Sequence, residues 1–308
     1  MRTRFLRLFS LAMCLFLAMA TCAADDTAIF WEISLDDEPA GHLLGTIHSE
    51  DPRVLDFSSV LIDRLVDNRY FAMEMVPDLP TLSRLTDYMH YQDGSTLVSR
   101  IGEERFALLQ AALANYRLPA DWVARMKVWA AMMTLSVPPP ETGFFMDFSL
   151  SLRAAGAGLK VVGLETLEDQ LSFLEEMPME QQLELLDQAL AEYDKVDEAH
   201  RQMVESYLGG DLALLAQEAE KQMASLQPES KAYFMEQGID ARNHRMIDNL
   251  LPHMQQGRVF VAVGALHLPG ESGLVNLLRS RGYRLTPLSL PFLAPEQGRQ
   301  ADQDGNNE

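Results

Sequence analysis

Two histidines follow short apolar stretches, each three residues after a glycine. His48 closes GTIH at 45–48 and His267 closes GALH at 264–267. The apolar runs before them are typical of buried strands, so both imidazoles are predicted to project from strand ends, where sites on such sheets commonly lie. The glycines let the chain turn or let another group approach closely. Imidazoles in this position are candidates for metal binding or proton transfer.

Two glutamates occupy comparable positions. Glu74 interrupts the apolar segment FAMEMV, and Glu165 ends the segment KVVGLE. A carboxylate in or at the end of a buried strand is costly unless it is paired, hydrogen-bonded or metal-bound, so each needs a partner. Arg242, in DARNHR, could form a salt bridge with either one. That structural alternative stays open beside a chemical role.

The four residues considered together are stronger evidence for a functional site than any one of them alone. Two histidines and two glutamates at strand ends could converge at one edge of one sheet. Two imidazoles and one carboxylate would hold a divalent cation with open positions, and the second carboxylate could act as general base on water. The remaining histidines are predicted to be solvated or packed in the core: His42, His90, His200, His244 and His253.

The elements that must position these residues cluster at both ends of the chain and once in its middle. Strands are predicted near 28–76, 158–165 and 258–290, with helical blocks at 79–135 and 167–255. Within these ranges, 28–47 is predicted to form a β-hairpin, 69–76 a short strand and 229–255 one long helix. This order predicts an α+β fold with α/β character, in which a central mixed sheet carries a largely helical insertion. We expect one core domain, 25–292, followed by a polar tail, 293–308.

The N-terminal residues 1–24 have the order of parts of a secretory signal peptide: three arginines, an apolar stretch and small residues. This predicts a periplasmic or secreted protein, with a lipid anchor at Cys22 as the alternative. Cys14 and Cys22 are the only cysteines, and both lie in or beside this segment. The mature protein is therefore expected to have neither disulfide nor thiol chemistry.

Composition narrows the partners. Without residues 1–24 the chain keeps 22 basic and 45 acidic residues, a net charge of −23, which argues against nucleic acid and anionic membrane surfaces as partners. No later stretch reaches the roughly 18 apolar residues of a spanning helix, so no integral membrane segment is expected after signal removal.

The chain has no HExxH, G-x-S-x-G, Walker or G-x-G-x-x-G motif. These absences argue against the common zinc proteases, serine hydrolases and nucleotide-binding enzymes.

Several segments together resemble the TraB/PrgY/GumN family, which includes the Tiki proteases. They are, in chain order, GTIHS, FAMEM, KVVGLETLEDQL, ARNHRM and VGALHLPGESGLVNLLRSRGYRL. The resemblance spans about residues 28–290. It implies a fold related to the erythromycin esterase and ChaN-like proteins.

The resemblance also implies an activity, that of a divalent-metal-dependent hydrolase acting on a peptide or protein substrate. Manganese or cobalt is the expected ion, with zinc as another possibility. His48, Glu74 and His267 match the metal-binding positions, while Glu165 and Arg242 match further site positions and are assigned catalytic roles. Glu165 would be the base or an additional ligand, and Arg242 would orient a carboxylate or stabilise an oxyanion. Asn243 matches the second residue of a family Arg-Asn pair. Two alternatives remain, a metal-independent esterase-like hydrolase and a non-catalytic envelope protein that binds or inhibits a peptide signal.

Overall fold

The computed structural model describes residues 27–289. The predicted α+β fold is confirmed, because a single six-stranded mixed sheet is combined with many helices. Within this range no helix is both long enough and apolar enough to cross a membrane. The signal peptide at 1–24 and the tail at 293–308 lie outside the described residues, so these predictions, like the limits of the domain at 25–292, stay predictions.

The sheet begins with the predicted hairpin. Asp36 and Asp37 form its turn with φ angles of 50° and 66°, the left-handed pair that a two-residue type I′ turn requires. The six strands are β1 Phe30–Leu35, β2 Glu38–Thr46, β3 Tyr70–Met73, β4 Lys160–Gly163, β5 Val259–Gly264 and β6 Arg284–Leu288.

The strand order across the sheet is β4-β3-β5-β2-β1-β6. The pairs β4–β3, β3–β5 and β5–β2 are parallel, whereas β1 runs antiparallel to both β2 and β6. Four neighbouring strands therefore end at the same edge. The apolar side chains of β3 and β5 are buried on both faces of the sheet, as the near-continuous apolar runs of these central parallel strands predict, whereas the edge strand β4 is only half-buried.

Helices fill the long intervals between the strands. Their bounds are α1 Pro52–Leu55, α2 Ser59–Val66, α3 Leu79–Tyr88, α4 Leu97–Ile101, α5 Glu103–Ala112, α6 Ala120–Arg125, α7 Val128–Leu135, α8 Met146–Gly156, α9 Leu167–Glu176, α10 Met179–Glu192, α11 Val196–Leu208, α12 Leu212–Gln222, α13 Pro228–Met235, α14 Ala241–Met254 and α15 Leu274–Ser280. The long helix predicted at 229–255 is present as α13 and α14, which a π-helical turn, Glu236–Asp240, joins without a break in the helical backbone.

The apolar residues form two clusters. The sheet core surrounds the strands and takes in buried residues of α8, α11, α12, α14 and α15. The helical core consists of buried side chains from α4–α7, α9 and α10, among them Trp129. The helical insertion thus has an apolar interior of its own beside the sheet.

Candidate active site

Four of the predicted site residues lie at the shared edge of the parallel strands. Glu74 is the first residue after β3, which is shorter than predicted, and Glu165 lies two residues after β4. His267 ends a 3₁₀ turn that follows β5, and His48 lies two residues after β2. Because β4, β3, β5 and β2 are neighbours in that order, the residues follow one another along the edge as Glu165, Glu74, His267 and His48.

His267 is held in one orientation by Asn243. Its Nδ1 lies 2.6 Å from Asn243 Oδ1, and Asn243 Nδ2 donates to the Ser272 carbonyl at 2.9 Å. The amide is therefore oriented with its oxygen toward the ring, which makes Nδ1 the protonated nitrogen and leaves a lone pair on Nε2. That Nε2 lies 3.8 Å from Glu74 Oε1.

Glu74 is fixed by three donors. The Gly264 amide donates to Oε1 at 2.8 Å, while Arg242 Nη2 and Gln170 Nε2 donate to Oε2 at 2.7 Å and 2.9 Å. The carboxylate keeps 20% of its side-chain surface accessible. Glu74 is thus oriented by protein groups and still reachable from outside.

Arg242 joins the two glutamates. Its Nε and Nη2 donate to the carboxylate of Glu165 at 2.6–3.1 Å, Nη2 also reaches Glu74, and Nη1 donates to the Gly238 carbonyl at 3.3 Å. The Glu165 side chain is fully buried. The salt bridge that the sequence left open is therefore present for both acids, with the described donors of Arg242 directed at protein acceptors.

Burial and charge set the protonation states. Burial lowers the pKa of His267 to about 4, with Arg242 adding to the effect and Glu74 opposing it. Burial acts to raise the pKa of Glu74, but the charges of His267 and Arg242 and the Gly264 N–H outweigh it and hold that pKa at about 2. Burial raises the pKa of Glu165 against the opposing hydrogen bond and charge of Arg242. At neutral pH the site presents a neutral imidazole and an ionised Glu74.

His48 has different surroundings. Its ring stacks on Phe145 with centroids 3.7 Å apart, its Nδ1 lies 3.8 Å from Asp147 Oδ1, and 58% of its side chain is exposed. The neighbouring Ser49 Oγ lies 3.0 Å from His200 Nε2. His48 therefore lies on the edge as predicted, with its described contacts to the start of α8.

The glycines of the two motifs serve close packing rather than a turn, since neither has a positive φ. A Cβ on Gly45 would lie 2.9 Å from Ala265 Cα, and one on Gly264 would lie 3.2 Å from Glu74 Oε1. The first motif thus packs against the second, directly beside the turn that carries His267. This contact is the physical reason for a glycine at 45.

Two contributors to the site were not predicted. Gln170 lies on α9, five residues after Glu165, and its amide donates to Glu74. His200 was predicted to be solvated or packed in the core, but its Nε2 lies 3.0 Å from the Oγ of Ser49, the residue next to His48. Only their helical positions were readable from the sequence, because contacts more than 90 residues away along the chain depend on tertiary packing.

Comparison with known proteins identifies the family of this chain. The model of the TraB/PrgY/gumN family matches residues 29–287. The chain belongs to the TraB/PrgY/gumN family. All of the candidate site residues fall within the matched range.

Its relatives include both named and uncharacterised members. Metalloprotease TIKI1 of Danio rerio is 24% identical over 92% of this chain and 68% of its own length. Metalloprotease TIKI2 of Xenopus tropicalis is 23% identical over 83% of this chain, which spans 60% of that protein. The uncharacterized protein YbaP of Escherichia coli K12 is 24% identical over 80% of this chain and 91% of its own length. No solved structure matches the chain.

The names of the TIKI relatives imply a metal ion, and two residues of this site fit one. A divalent cation binds unprotonated imidazole and ionised carboxylate, the states of His267 and Glu74 at neutral pH. Asn243 orients the imidazole through its second nitrogen, as outer partners of metal-binding histidines do. Across residues 27–289 no three His, Cys, Asp or Glu side chains lie close enough to share an ion, so the fit covers two ligand positions.

Proposed function

We propose that this TraB-family protein is a metal-dependent hydrolase, specifically a peptidase, that works in the periplasm or after secretion. The observation that carries the proposal is the pair His267 and Glu74, with Nε2 and Oε1 3.8 Å apart and each side chain held by further protein groups. The TIKI relatives, named metalloproteases, support the peptidase assignment.

His267 and Glu74 would hold the cation, with His48 as the predicted third ligand. Such an ion, manganese or cobalt with zinc as another possibility, supplies charge that polarises a carbonyl and acidifies water. Asn243 keeps the proton of His267 on Nδ1, so that Nε2 stays available as a ligand. The Gly264 amide and Gln170 hold the two oxygens of Glu74 in place.

Arg242 acts on Glu74 rather than on substrate in this proposal. Its Nη2 donates to Glu74 Oε2 and to Glu165 Oε2, so the guanidinium fixes one carboxylate against the other. Glu165 was predicted as the base or an additional ligand. Its full burial and its contacts with Arg242 favour a positioning role, in which it holds Arg242 and, through it, Glu74.

The proposed periplasmic or secreted location rests on residues 1–24, with their arginines and apolar stretch. N-terminal sequencing of the full-length chain after expression in a host that has both a periplasm and a signal peptidase would test this part. Cleavage near residue 24 is expected, whereas a lipid-modified Cys22 would favour the anchored alternative. An uncleaved protein in the cytoplasm would contradict both.

The experiment that tests the activity uses the mature chain, residues 25–308, stripped with chelator and then supplied with manganese, cobalt or zinc. Calorimetry measures metal binding, and mass spectrometry follows a peptide library for new termini. We expect stoichiometric binding and metal-dependent cleavage, both lost in His267→Ala and in His48→Ala but kept in His244→Ala, an exposed histidine on α14.

Other outcomes would redirect the assignment. Cleavage that persists in strong chelator would favour a metal-independent hydrolase. Capture of peptides without any shortening would favour a binding or signal-inhibiting protein. Full cleavage by both the His48→Ala and His267→Ala variants would contradict the proposed site itself.

A further inference from the structure

A cavity of about 360 Å³ lies where the helical core meets the sheet core. Its walls come from α7 and α10 of the helical core and from α11 and α12, which belong to the sheet core. Leu266, the residue directly before His267, also lines it. The cavity therefore borders the turn that carries the candidate metal ligand.

The wall from α11 links the cavity to the other motif. Ala199 and Met203 line it, and His200, between them on the same helix, contacts Ser49 beside His48. Phe234 adds a wall on α13, and it packs edge-on against Phe173, the ring that covers Gly238. The cavity, which is partly open to solvent, is thus bordered by elements that contact the segments carrying His48, His267 and Arg242.

The lining is apolar and adaptable. Four methionines contribute to it: Met132, Met133, Met203 and Met223. Methionine side chains are flexible and polarizable, so they adjust to differently shaped apolar groups. The charged residues of the lining are one acid and one base, Glu192 and Lys195, and this balance gives no preference for a charged ligand.

The volume of the cavity is comparable to that of known ligand pockets. At about 360 Å³ this cavity falls within the range of ligand pockets, roughly 300–1,000 Å³. It has room for about two apolar side chains.

We propose that this cavity binds apolar side chains of a polypeptide substrate and so places the adjoining peptide bond beside His267 and Glu74. The inference rests on the proposed peptidase function and adds its substrate preference. Substrates would carry leucine, methionine or phenylalanine within a residue or two of the cleaved bond. Because its walls are rich in methionine, the cavity would accept apolar side chains of different shapes and would bind charged side chains more weakly.

The test uses the mature, metal-loaded chain and a set of labelled dodecapeptides that differ at one position next to the cleaved bond. We expect kcat/KM to be at least about tenfold higher with leucine or methionine than with aspartate or lysine, as an apolar pocket discriminates. Binding of the same peptides to the Glu74→Gln variant, followed by fluorescence anisotropy, gives a readout that does not depend on cleavage.

A matched pair of variants locates the preference. Ala189→Phe fills the cavity from α10, whereas Ala191→Phe places the same ring two residues further along, at an exposed position outside the lining. In Ala189→Phe, kcat/KM for the leucine peptide should fall by about tenfold, while kcat/KM for a peptide with alanine at the same position should stay unchanged. Ala191→Phe should cleave both peptides as the wild type does. If Ala189→Phe does not fold, Ala199→Leu narrows the cavity from the opposite wall.

The outcomes separate this inference from the function on which it rests. Cleavage without apolar preference, or a preference that both cavity-filling variants retain, overturns the inference and leaves the peptidase assignment standing. Apolar peptides that bind the wild-type chain and are lost in Ala189→Phe, but are never cleaved, support the cavity and contradict the peptidase. Displacement of a bound fluorescent fatty acid by decanoate but by none of the peptides overturns the inference in favour of a lipid ligand.

Discussion

The Nε2 atom of His267 and the Oε1 atom of Glu74 face each other across 3.8 Å. The ring proton is on the opposite nitrogen, directed at Asn243, and the carboxylate is ionised at neutral pH because its pKa is about 2. Two electron-pair donors are therefore held toward one another by the surrounding protein. A cation placed between them would stabilise both, and this is the physical basis of the proposed metal site.

Asn243 is expected to control metal affinity through the tautomer of His267. In Asn243→Ala the ring loses the acceptor for its Nδ1 proton and is free to rotate, so metal affinity should fall by about 10–100-fold. Asn243→Asp keeps an acceptor oxygen at that place and should restore much of the affinity. Calorimetry measures affinity, and nitrogen NMR of the imidazole reports the protonated atom.

The Asn243→Ala effect must be separated from instability, since Asn243 is fully buried and its loss should cost about 1–3 kcal/mol of unfolding free energy. Denaturant titration of each variant provides that control. Unchanged metal affinity and an unchanged tautomer in Asn243→Ala would contradict the proposed role.

Glu165 is expected to act through Arg242. Glu165→Gln keeps the shape of the side chain but weakens the buried pair, so the unfolding free energy should fall by about 1–3 kcal/mol, with a moderate loss of kcat/KM. The pH profile of kcat/KM should keep its shape. Glu176→Gln, an exposed change at the end of α9, is the matched control and should alter neither quantity.

A different pattern would assign Glu165 the role of general base. In that case Glu165→Gln should lower activity by about 10²–10⁴-fold and remove the acidic limb of the pH profile, at little cost in stability. The two patterns differ in the pH profile as well as in size, so the measurement decides between them.

Gly45 is expected to be required for packing between the two motifs. In Gly45→Ala the new methyl group would lie 2.9 Å from the Ala265 Cα, so the turn carrying His267 must shift, at a cost of about 1–3 kcal/mol. Metal affinity should fall with it. Gly156→Ala, whose Cβ would meet nothing within 4 Å on α8, is the control and should be neutral or slightly stabilising. Equal effects of the two substitutions would count against a packing role for Gly45.

Acid should destabilise the metal-free protein through His267. Its pKa falls from 6.5 to about 4 on folding, so between these values the unfolded chain binds more protons and stability decreases as the pH is lowered. The whole shift corresponds to about 3 kcal/mol. His42 has a similarly lowered pKa because of burial, followed by the charge of Arg64, and its contribution falls in the same window.

The His267 contribution is isolated by comparison with His267→Gln in chelator. The difference in unfolding free energy between wild type and variant should narrow from pH 6.5 to pH 4, as measured by denaturant titration. A difference that is constant across this range would show that His267 does not carry the lowered pKa.

Much of the fold followed from local pattern. Alternating and continuous apolar runs marked the strands, and the Asp36–Asp37 turn set the hairpin, because strand periodicity and turn chemistry are local properties. Tertiary contacts determined the features that the sequence patterns did not predict. The π turn within 229–255, with the Phe173 ring 3.0 Å from the Cβ position of Gly238, could not be inferred from helical periodicity.

By itself the sequence determined that His48, Glu165 and His267 follow recognisable strands and that Glu74 lies within or at the end of another one. Only the tertiary structure decided how they are connected. Parallel pairing of β4, β3, β5 and β2 placed them along one edge, and the packing of α14 against that edge brought in Arg242 and Asn243. Hydrogen bonds such as those of Arg242 to Glu74 and Glu165 join residues 168 and 77 positions apart. Side-chain partners at such separations are set by the packing of whole elements, which local sequence patterns do not encode.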